Sequence, residues 1–406
     1  MADRKTLKIP VLMYHGIANN LSRVPYSFLL QSVSHFKRCM QYLKRRQFTT
    51  IDLYDLYAHI KTNAPLPRNP IVLTFDDGYL DNWVFVYPLL KRLQMKATIF
   101  VNPDFVDPSM ECRLQQDESI SAHVSQADLV WHGYLSWAEM RAMQASGVMD
   151  IQSHTLTHTW YFRSDKIIDF HHPHDSYFWL AWNRFPERKY KWLDEQHIEL
   201  VEYGTPVYEF GRSLGIRKYY ENKGLNEHLV KCVRKHGGGD FFQNNRWLDI
   251  LWDSTRDYQK SNGYRGFYED DAEYQKRLIR EIIYSKEVIE DNLNKKVDFL
   301  CWAGGAYTKE AYELALTGGH LATTKGITKN QFGNDPRMIH RIGAYLEPGR
   351  YSESLLNTVF LPFFIMQIES YRGNPLANAM LRSIQKIYRK ISSSRKRMSL
   401  TLKPKN

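Results

Sequence analysis

Ile71-Val72-Leu73-Thr74-Phe75-Asp76-Asp77-Gly78-Tyr79 runs from a short apolar stretch straight into two carboxylates and a glycine. Apolar and β-branched residues at this length read as a strand buried on both faces, as in a parallel sheet. Parallel α/β barrels carry their chemistry at the C-terminal ends of such strands, and Gly78 allows the chain to leave abruptly. There, one carboxylate can hold a metal while its neighbour, pointing elsewhere, acts as a base. Asp-Asp-Gly is also a common turn tripeptide, so the reading needs support from elsewhere in the chain.

Working outward, strands and helices alternate. Strands are expected at 9–14, 71–75, 97–101 and 150–153, with helices at 30–45 and 83–93. Ser136 with Glu139 forms a capping-box pattern for a helix that ends near Ser146 and Gly147. Further on, a periodic helix at 271–293 precedes a strand at 297–302, a helix at 309–316 and a strand at 320–324. Strand then helix, repeated, is the pattern of parallel α/β folds. The stretch 159–270 breaks it, being rich in Trp, Tyr, Phe, His and Arg and interrupted at Gly204-Thr205-Pro206 and Gly237-Gly238-Gly239. It reads as an insertion with helices of its own, roofing the barrel's mouth. The expected organisation is a first part of the barrel at 1–158, the capping insertion at 159–270, a second part at 271–350 and a basic C-terminal helical tail at 351–406.

The 406 residues are 43% hydrophobic and 24% charged, which excludes collagen-like, coiled-coil and wholly disordered chains. Aromatics at 14% suit a sugar-binding cleft and a large core equally. The net charge of +11 resides in the tail: no acid follows Glu369, and ten basic residues lie between Arg372 and Lys405. The remainder is close to neutral, which argues against a nucleic-acid-binding body. Cys39, Cys112, Cys232 and Cys301 are far apart, as in a chain from a reducing compartment. No apolar signal-peptide core follows Met1, and Leu355 to Ile368 is too short and too interrupted to span a bilayer, so it reads as a core or interfacial element. Met380, Leu381, Ile384, Ile387, Tyr388 and Ile391 recur at helical spacing between Arg382, Lys386, Arg389 and Lys390. That basic amphipathic helix fits docking on the domain, an anionic membrane surface or, last of the three, nucleic acid. A cytoplasmic place, with the inner membrane face as its peripheral variant, is the expectation.

Ser153-His154-Thr155-Leu156-Thr157-His158 is the second cluster. Its histidines converge on one point if the segment is a helical turn, and two imidazoles with one carboxylate leave positions open for water and substrate. A lone histidine pair is often structural; one that follows a second strand, beside an Asp-Asp pair, is much less so.

Tyr14-His15, Thr74-Phe75-Asp76-Asp77-Gly78-Tyr79, Ser153 to His158, and Leu300-Cys301-Trp302-Ala303-Gly304-Gly305-Ala306-Tyr307 occur in the order of a known motif set. With them the chain resembles the polysaccharide deacetylases of carbohydrate esterase family 4, the NodB-homology group, over residues 8–160 and 270–345. The resemblance implies a distorted (β/α) barrel of the NodB type. It implies Asp77, His154 and His158 as ligands of a divalent metal, zinc first, with nickel, cobalt or iron as alternatives. Asp76 becomes the general base and the Gly304 backbone N–H the oxyanion donor, with Tyr79, His15, Trp302 and Arg341 towards the substrate. The third motif departs from the family: Cys301 and Trp302 stand where an arginine usually orients the base, Ala303 replaces proline and Gly304 replaces an aromatic. The general acid is open among His320, His340, His171, His172 and His174.

The implied reaction is metal-dependent removal of an N-acyl group, acetyl first, from an amino sugar of a cell-surface polysaccharide or its lipid-linked precursor. Two other classes compete: a carbohydrate-binding pseudoenzyme, and a peripheral membrane scaffold in glycan assembly. Retention of the base and all three ligands favours the enzyme.

Overall fold

A computed structural model describes residues 7–19, 29–116, 129–193, 200–263, 266–343 and 353–384. The expected tail helix beyond Ile384 and the basic run to Lys405 lie outside the described residues. The first four strands on the path of the main sheet are β1 (Val11–Tyr14), β2 (Pro70–Phe75), β3 (Ala97–Val101) and β4 (Met149–Ser153). An antiparallel hairpin of β5 (Trp160–Phe170) and β6 (Pro206–Arg212) follows. The main sheet is continued by β7 (Phe299–Leu300), β8 (Ala322–Thr324), β9 (Met338–Ile339) and β10 (Ile342–Gly343), and further two- and three-residue strands lie elsewhere in the chain.

The main sheet has the order β9-β8-β7-β4-β3-β2-β1-β10 and its pairs are parallel. β9 and β10 belong to one segment, split by His340 and Arg341, and they pair with opposite edges of the sheet. That segment closes the curled sheet into the expected distorted barrel and carries Arg341 at its seam. β2 and β3 are buried along their whole length, which explains why they read as unbroken apolar runs.

Val11, Val72, Phe100, Phe299, Cys301, Ala322 and Ile339, from strands around the barrel, share one buried cluster. A larger cluster lies between the strands and the outer helices, where Val33–Arg45 contributes Phe36, Met40 and Leu43. The helix Trp137–Ala145 starts with the expected capping box. The 271–293 helix is interrupted by a π turn, Arg280–Tyr284, which carries Glu281 into the interior.

The tail boundary at 351 needs correction. The helix Glu353–Arg372 places Phe360, Phe364 and Ile368 in the large barrel cluster, so this part of the chain is core. Its apolar residues recur at four-residue spacing and bury one stripe. No helix among the described residues is long and apolar enough to cross a membrane.

The 159–270 stretch contains the helices Lys223–Lys235 and Trp247–Asn262 and a core around Phe170, Trp179, Tyr208, Leu225 and Leu251. The β5–β6 hairpin leaves no pattern in the sequence. Its pairing shifts register between Phe162 and Ile167 and again before Asp169, which erases the two-residue alternation that marks a strand.

Candidate active site

At the end of β2, the Asp76 N–H still donates to the Tyr14 carbonyl at 3.0 Å, continuing the ladder. Asp77 and Gly78 then adopt left-handed φ values of 73° and 69° and turn the chain out of the sheet. For an aspartate this conformation stores roughly 1–3 kcal/mol of strain, held by its surroundings. A side chain at Gly78 would press on Val101 Cγ1 at 3.0 Å.

His154 and His158 follow β4, and the helical turn expected for them is absent. Thr155 and His158 have φ values of 67° and 47°, so the segment is a tight loop with left-handed residues. Hydrogen bonds from several directions hold it. Asn102 Nδ2 donates to the carbonyls of His154 and Thr155. The Glu281 carboxylate accepts from Thr157 N at 3.1 Å and from the Thr157 hydroxyl. Lys189, from the insertion, donates to Thr157 O and to Asp104, both at 2.9 Å.

The loop thereby brings His154 Nε2 and His158 Nε2 each to 3.3 Å from Asp77 Oδ1. The three ligating atoms lie within 4.8 Å of one another. His154 Nδ1 donates to the Cys301 carbonyl at 2.9 Å, which turns Nε2 towards the cluster; burial would lower this imidazole, but Cys301 and the Asp77 and Asp76 carboxylates raise it well above its ordinary value. Burial, with Arg212 and His154 nearby, pushes His158 down to about 3 despite Asp77, so its imidazole is neutral. Burial alone would raise Asp77, but the two histidines hold it below the usual carboxylate range. Its Oδ1 is buried without a hydrogen-bond partner among the described residues. A carboxylate oxygen between two imidazole Nε2 atoms fits a divalent cation of the zinc type, which would take the place of the His154 proton.

Asp76 is gripped differently. Arg341 Nη1 donates to Oδ1 at 2.6 Å and Nη2 to Oδ2 at 2.8 Å, a bidentate fork. Burial would raise this carboxyl, and Arg341, aided by His154 and His15, reverses the shift and keeps it ionised. Arg341, expected at the substrate, is therefore committed to the Asp76 carboxylate. Cys301, in that motif, lies beside the pair, with Sγ 2.9 Å from Arg341 Nη2.

A cavity of about 690 Å³ opens over both groups, and all nine expected site residues line it. His15 Nε2 is 3.9 Å from Asp76 Oδ2. Tyr79 stacks on Tyr134 with centroids 5.5 Å apart, and Trp302 is buried against Tyr307 at 4.8 Å. Gly304, at φ 58°, forms part of the wall. Of the five histidines considered for the general acid, His340 lines the cavity. His171 is paired with Asp175 at 2.6 Å, and His320 is buried away from the cavity, burial and Lys286 pushing it down to about 4. His172 and His174 are not among the residues that line the cavity.

The insertion supplies the roof through Trp160, Phe178, Trp182, Trp192 and Arg212. The aromatic excess signals such a roof without singling out its members. Arg212 carries no signal in the sequence: it reaches the site because β6 pairs Arg212 with Trp160, two residues beyond His158. Its guanidinium carbon lies 3.6 Å from the Trp160 ring centroid. Its Nη1 is 3.5 Å from His158 Nδ1, at the outer limit of a hydrogen bond.

A family model described as polysaccharide deacetylase matches residues 63–189. A Bacillus subtilis (strain 168) polysaccharide deacetylase homologue, YxkH, is 35% identical over 98 residues, covering 24% of this chain and 33% of that protein. The poly-β-1,6-N-acetyl-D-glucosamine N-deacetylase of Escherichia coli (strain K12) is 22% identical over 129 residues, covering 32% of this chain and 18% of that protein. The matches thus span a third or less of these relatives' length. Among solved structures, a de-N-acetylase from Aggregatibacter actinomycetemcomitans superposes with a TM-score of 0.49 at 17% identity, over 86% of this chain and 99% of that one. The matched segment carries Asp76, Asp77, His154 and His158 at the ends of β2 and β4, so residues 63–189 are similar to the polysaccharide deacetylase family at the cluster itself.

Proposed function

We propose that the protein is a metal-dependent amidohydrolase that removes an N-acyl group, acetyl first, from an amino sugar of a polysaccharide or its lipid-linked precursor. The observation that carries this reading is the pairing, in one cavity, of an Arg341-held Asp76 with the Asp77–His154–His158 cluster. A divalent cation bound by that cluster would supply Lewis-acid polarisation of the acyl carbonyl.

The chain's own residues do the rest. Asp76, kept ionised by Arg341, accepts the proton of the attacking water. The Gly304 N–H stabilises the oxyanion, and a cavity histidine, His15 or His340, returns a proton to the leaving amine. Aromatic faces in the roof pack on the C–H face of the sugar and exclude water.

Acetate release from N-acetylglucosamine oligomers tests the reading, with the metal content of the purified protein measured in parallel. We expect release by the wild type, its loss in Asp76→Asn, and about one divalent ion per chain that disappears in His154→Ala with His158→Ala. Unimpaired release by Asp76→Asn, or release that needs no metal, would overturn it.

A further inference from the structure

Arg212 and Lys325 are cations without a carboxylate partner among the described residues, and both line the cavity. They meet at the Gly304-Gly305 turn. A Cβ on Gly304 would collide with the Arg212 guanidinium, and one on Gly305 would come within 3.3 Å of Lys325 Nζ. The position where the resemblance expects an aromatic ring is thus bare, and a guanidinium from the insertion occupies the space.

That guanidinium is built into place, lying on Trp160 and against the Gly304 backbone. Stacking uses its face and leaves its N–H edge for hydrogen bonding. Lys325 Nζ donates to the Gly305 carbonyl, which uses one of its three hydrogens. Among the described lining residues, two carboxylates, Asp76 and Asp77, face three permanent cations, Arg212, Lys325 and Arg341. Arg341 is spent on Asp76, and Asp77 is engaged by its histidines. The surplus is therefore positive, before any metal adds to it, and it is concentrated at Arg212 and Lys325.

We propose that the sugar taken by this site bears a phosphate group, bound between Arg212 and Lys325 at the Gly304-Gly305 turn. A guanidinium fork beside an ammonium matches a dianion with several oxygens better than a single carboxylate. Position adds to the argument. Arg212 Nη1 is 3.5 Å from His158, so the anion lies within the width of one sugar ring of the reacting acyl group. The phosphate is thus on the same sugar as the acylamino group, not on a distant part of a polymer. The assignment rests on the deacetylase reading for the sugar, though not for the anion.

The test uses the Asp76→Asn protein, so that binding is read without turnover, and follows tryptophan fluorescence because Trp160 carries Arg212. The probes are N-acetylglucosamine 1-phosphate, N-acetylglucosamine, glucuronic acid and inorganic phosphate, at constant ionic strength. We expect the sugar phosphate to bind at least tenfold tighter than each of the others. Arg212→Gln and, separately, Lys325→Gln should each weaken it at least tenfold, with a much smaller change for the neutral sugar. Lys325 is exposed, so its variant gives a readout even if Arg212→Gln fails to fold. Equal affinity for neutral and phosphorylated sugar would overturn the proposal, as would glucuronic acid or inorganic phosphate matching the sugar phosphate. Release of acetate from neutral oligomers without any phosphate preference would remove this inference and leave the deacetylase reading. A phosphate preference in a wild type that never releases acetate would do the reverse.

Discussion

The strand ends and the roof of the cavity are held together by different forces. At the strand ends, Asp76 sits in a two-bond fork from Arg341, His154 is pinned through its second ring nitrogen, and the His154–His158 loop is tied by Asn102, Glu281 and Lys189. In the roof, ring packs on ring: Trp160 lies 6.0 Å from Trp182, Phe178 5.3 Å from Trp192, and Trp182 5.6 Å from Trp192, centroid to centroid. Hydrogen bonds are directional and fix atoms to tenths of an ångström, as proton transfer requires. Aromatic packing is broad in geometry and tolerates replacement by another apolar group of similar volume. The floor should therefore govern turnover and the roof should govern what is bound.

The largest effects should come from the floor. Removing the metal with a chelator should abolish acetate release, and zinc, cobalt or nickel should restore it. Asp76→Asn should lower kcat by about 10²–10⁴-fold, the usual worth of a positioned base, with KM nearly unchanged. A large rise in KM with kcat preserved would break the division between floor and roof.

Arg341 comes next, because it acts through Asp76. Arg341→Met should lower kcat by roughly 10²-fold and leave KM within a few-fold. Arg341→Lys should recover only part of the loss, since an ammonium restores charge without the two-bond fork. Equal loss in both variants, accompanied by a drop in melting temperature, would reduce the residue to a structural one.

A roof substitution should do less and do it elsewhere. Trp160→Leu keeps an apolar group but removes the platform under Arg212. We expect KM to rise about tenfold, equivalent to ~1.4 kcal/mol, with kcat within a few-fold. A dominant kcat effect would mean that the roof also shapes the reacting geometry.

The same division explains what is legible in the sequence. Asp76, Asp77, His154 and His158 announce themselves because strand and turn signals lie within a few residues of each. The barrel's first four strands are legible for the same reason. Arg341 is visible but its role is not, since its partner lies 265 residues away and no local pattern says which side chain crosses the seam of a barrel. The histidine loop hides its backbone, because left-handed residues at Thr155 and His158 leave no mark in composition and the four-residue spacing suggests a helical turn instead. Arg212 depends on the register of a hairpin whose alternation is broken by bulges, so nothing near it in sequence connects it to the site.

Asp81 sharpens the contrast at its smallest expected effect on activity. It follows the same Asp-Asp-Gly turn, yet no cation among the described residues shifts it: burial pushes its pKa up to about 8, the Ile17 N–H and Asn82 amide only partly offsetting this. Its Oδ2 is buried without a hydrogen-bond partner among the described residues, and Oδ1 accepts from Asn82 Nδ2 at 2.6 Å. Burial acts on Asp76 and Asp81 alike; the fork from Arg341 is what sends the first carboxyl down while the second goes up. A raised folded-state pKa means that the native protein holds a proton the unfolded chain, with a pKa of about 3.9, has released. Stability from this group therefore falls as pH rises from about 4 to about 8 and then levels off. Asp81→Asn removes that dependence. Its gain in the urea midpoint over the wild type should widen between about pH 5 and pH 8, by on the order of 4 kcal/mol in unfolding free energy, with acetate release little changed. Parallel midpoint curves would show that Asp81 is ionised in the folded protein, and that burial without a cation does not by itself separate it from Asp76.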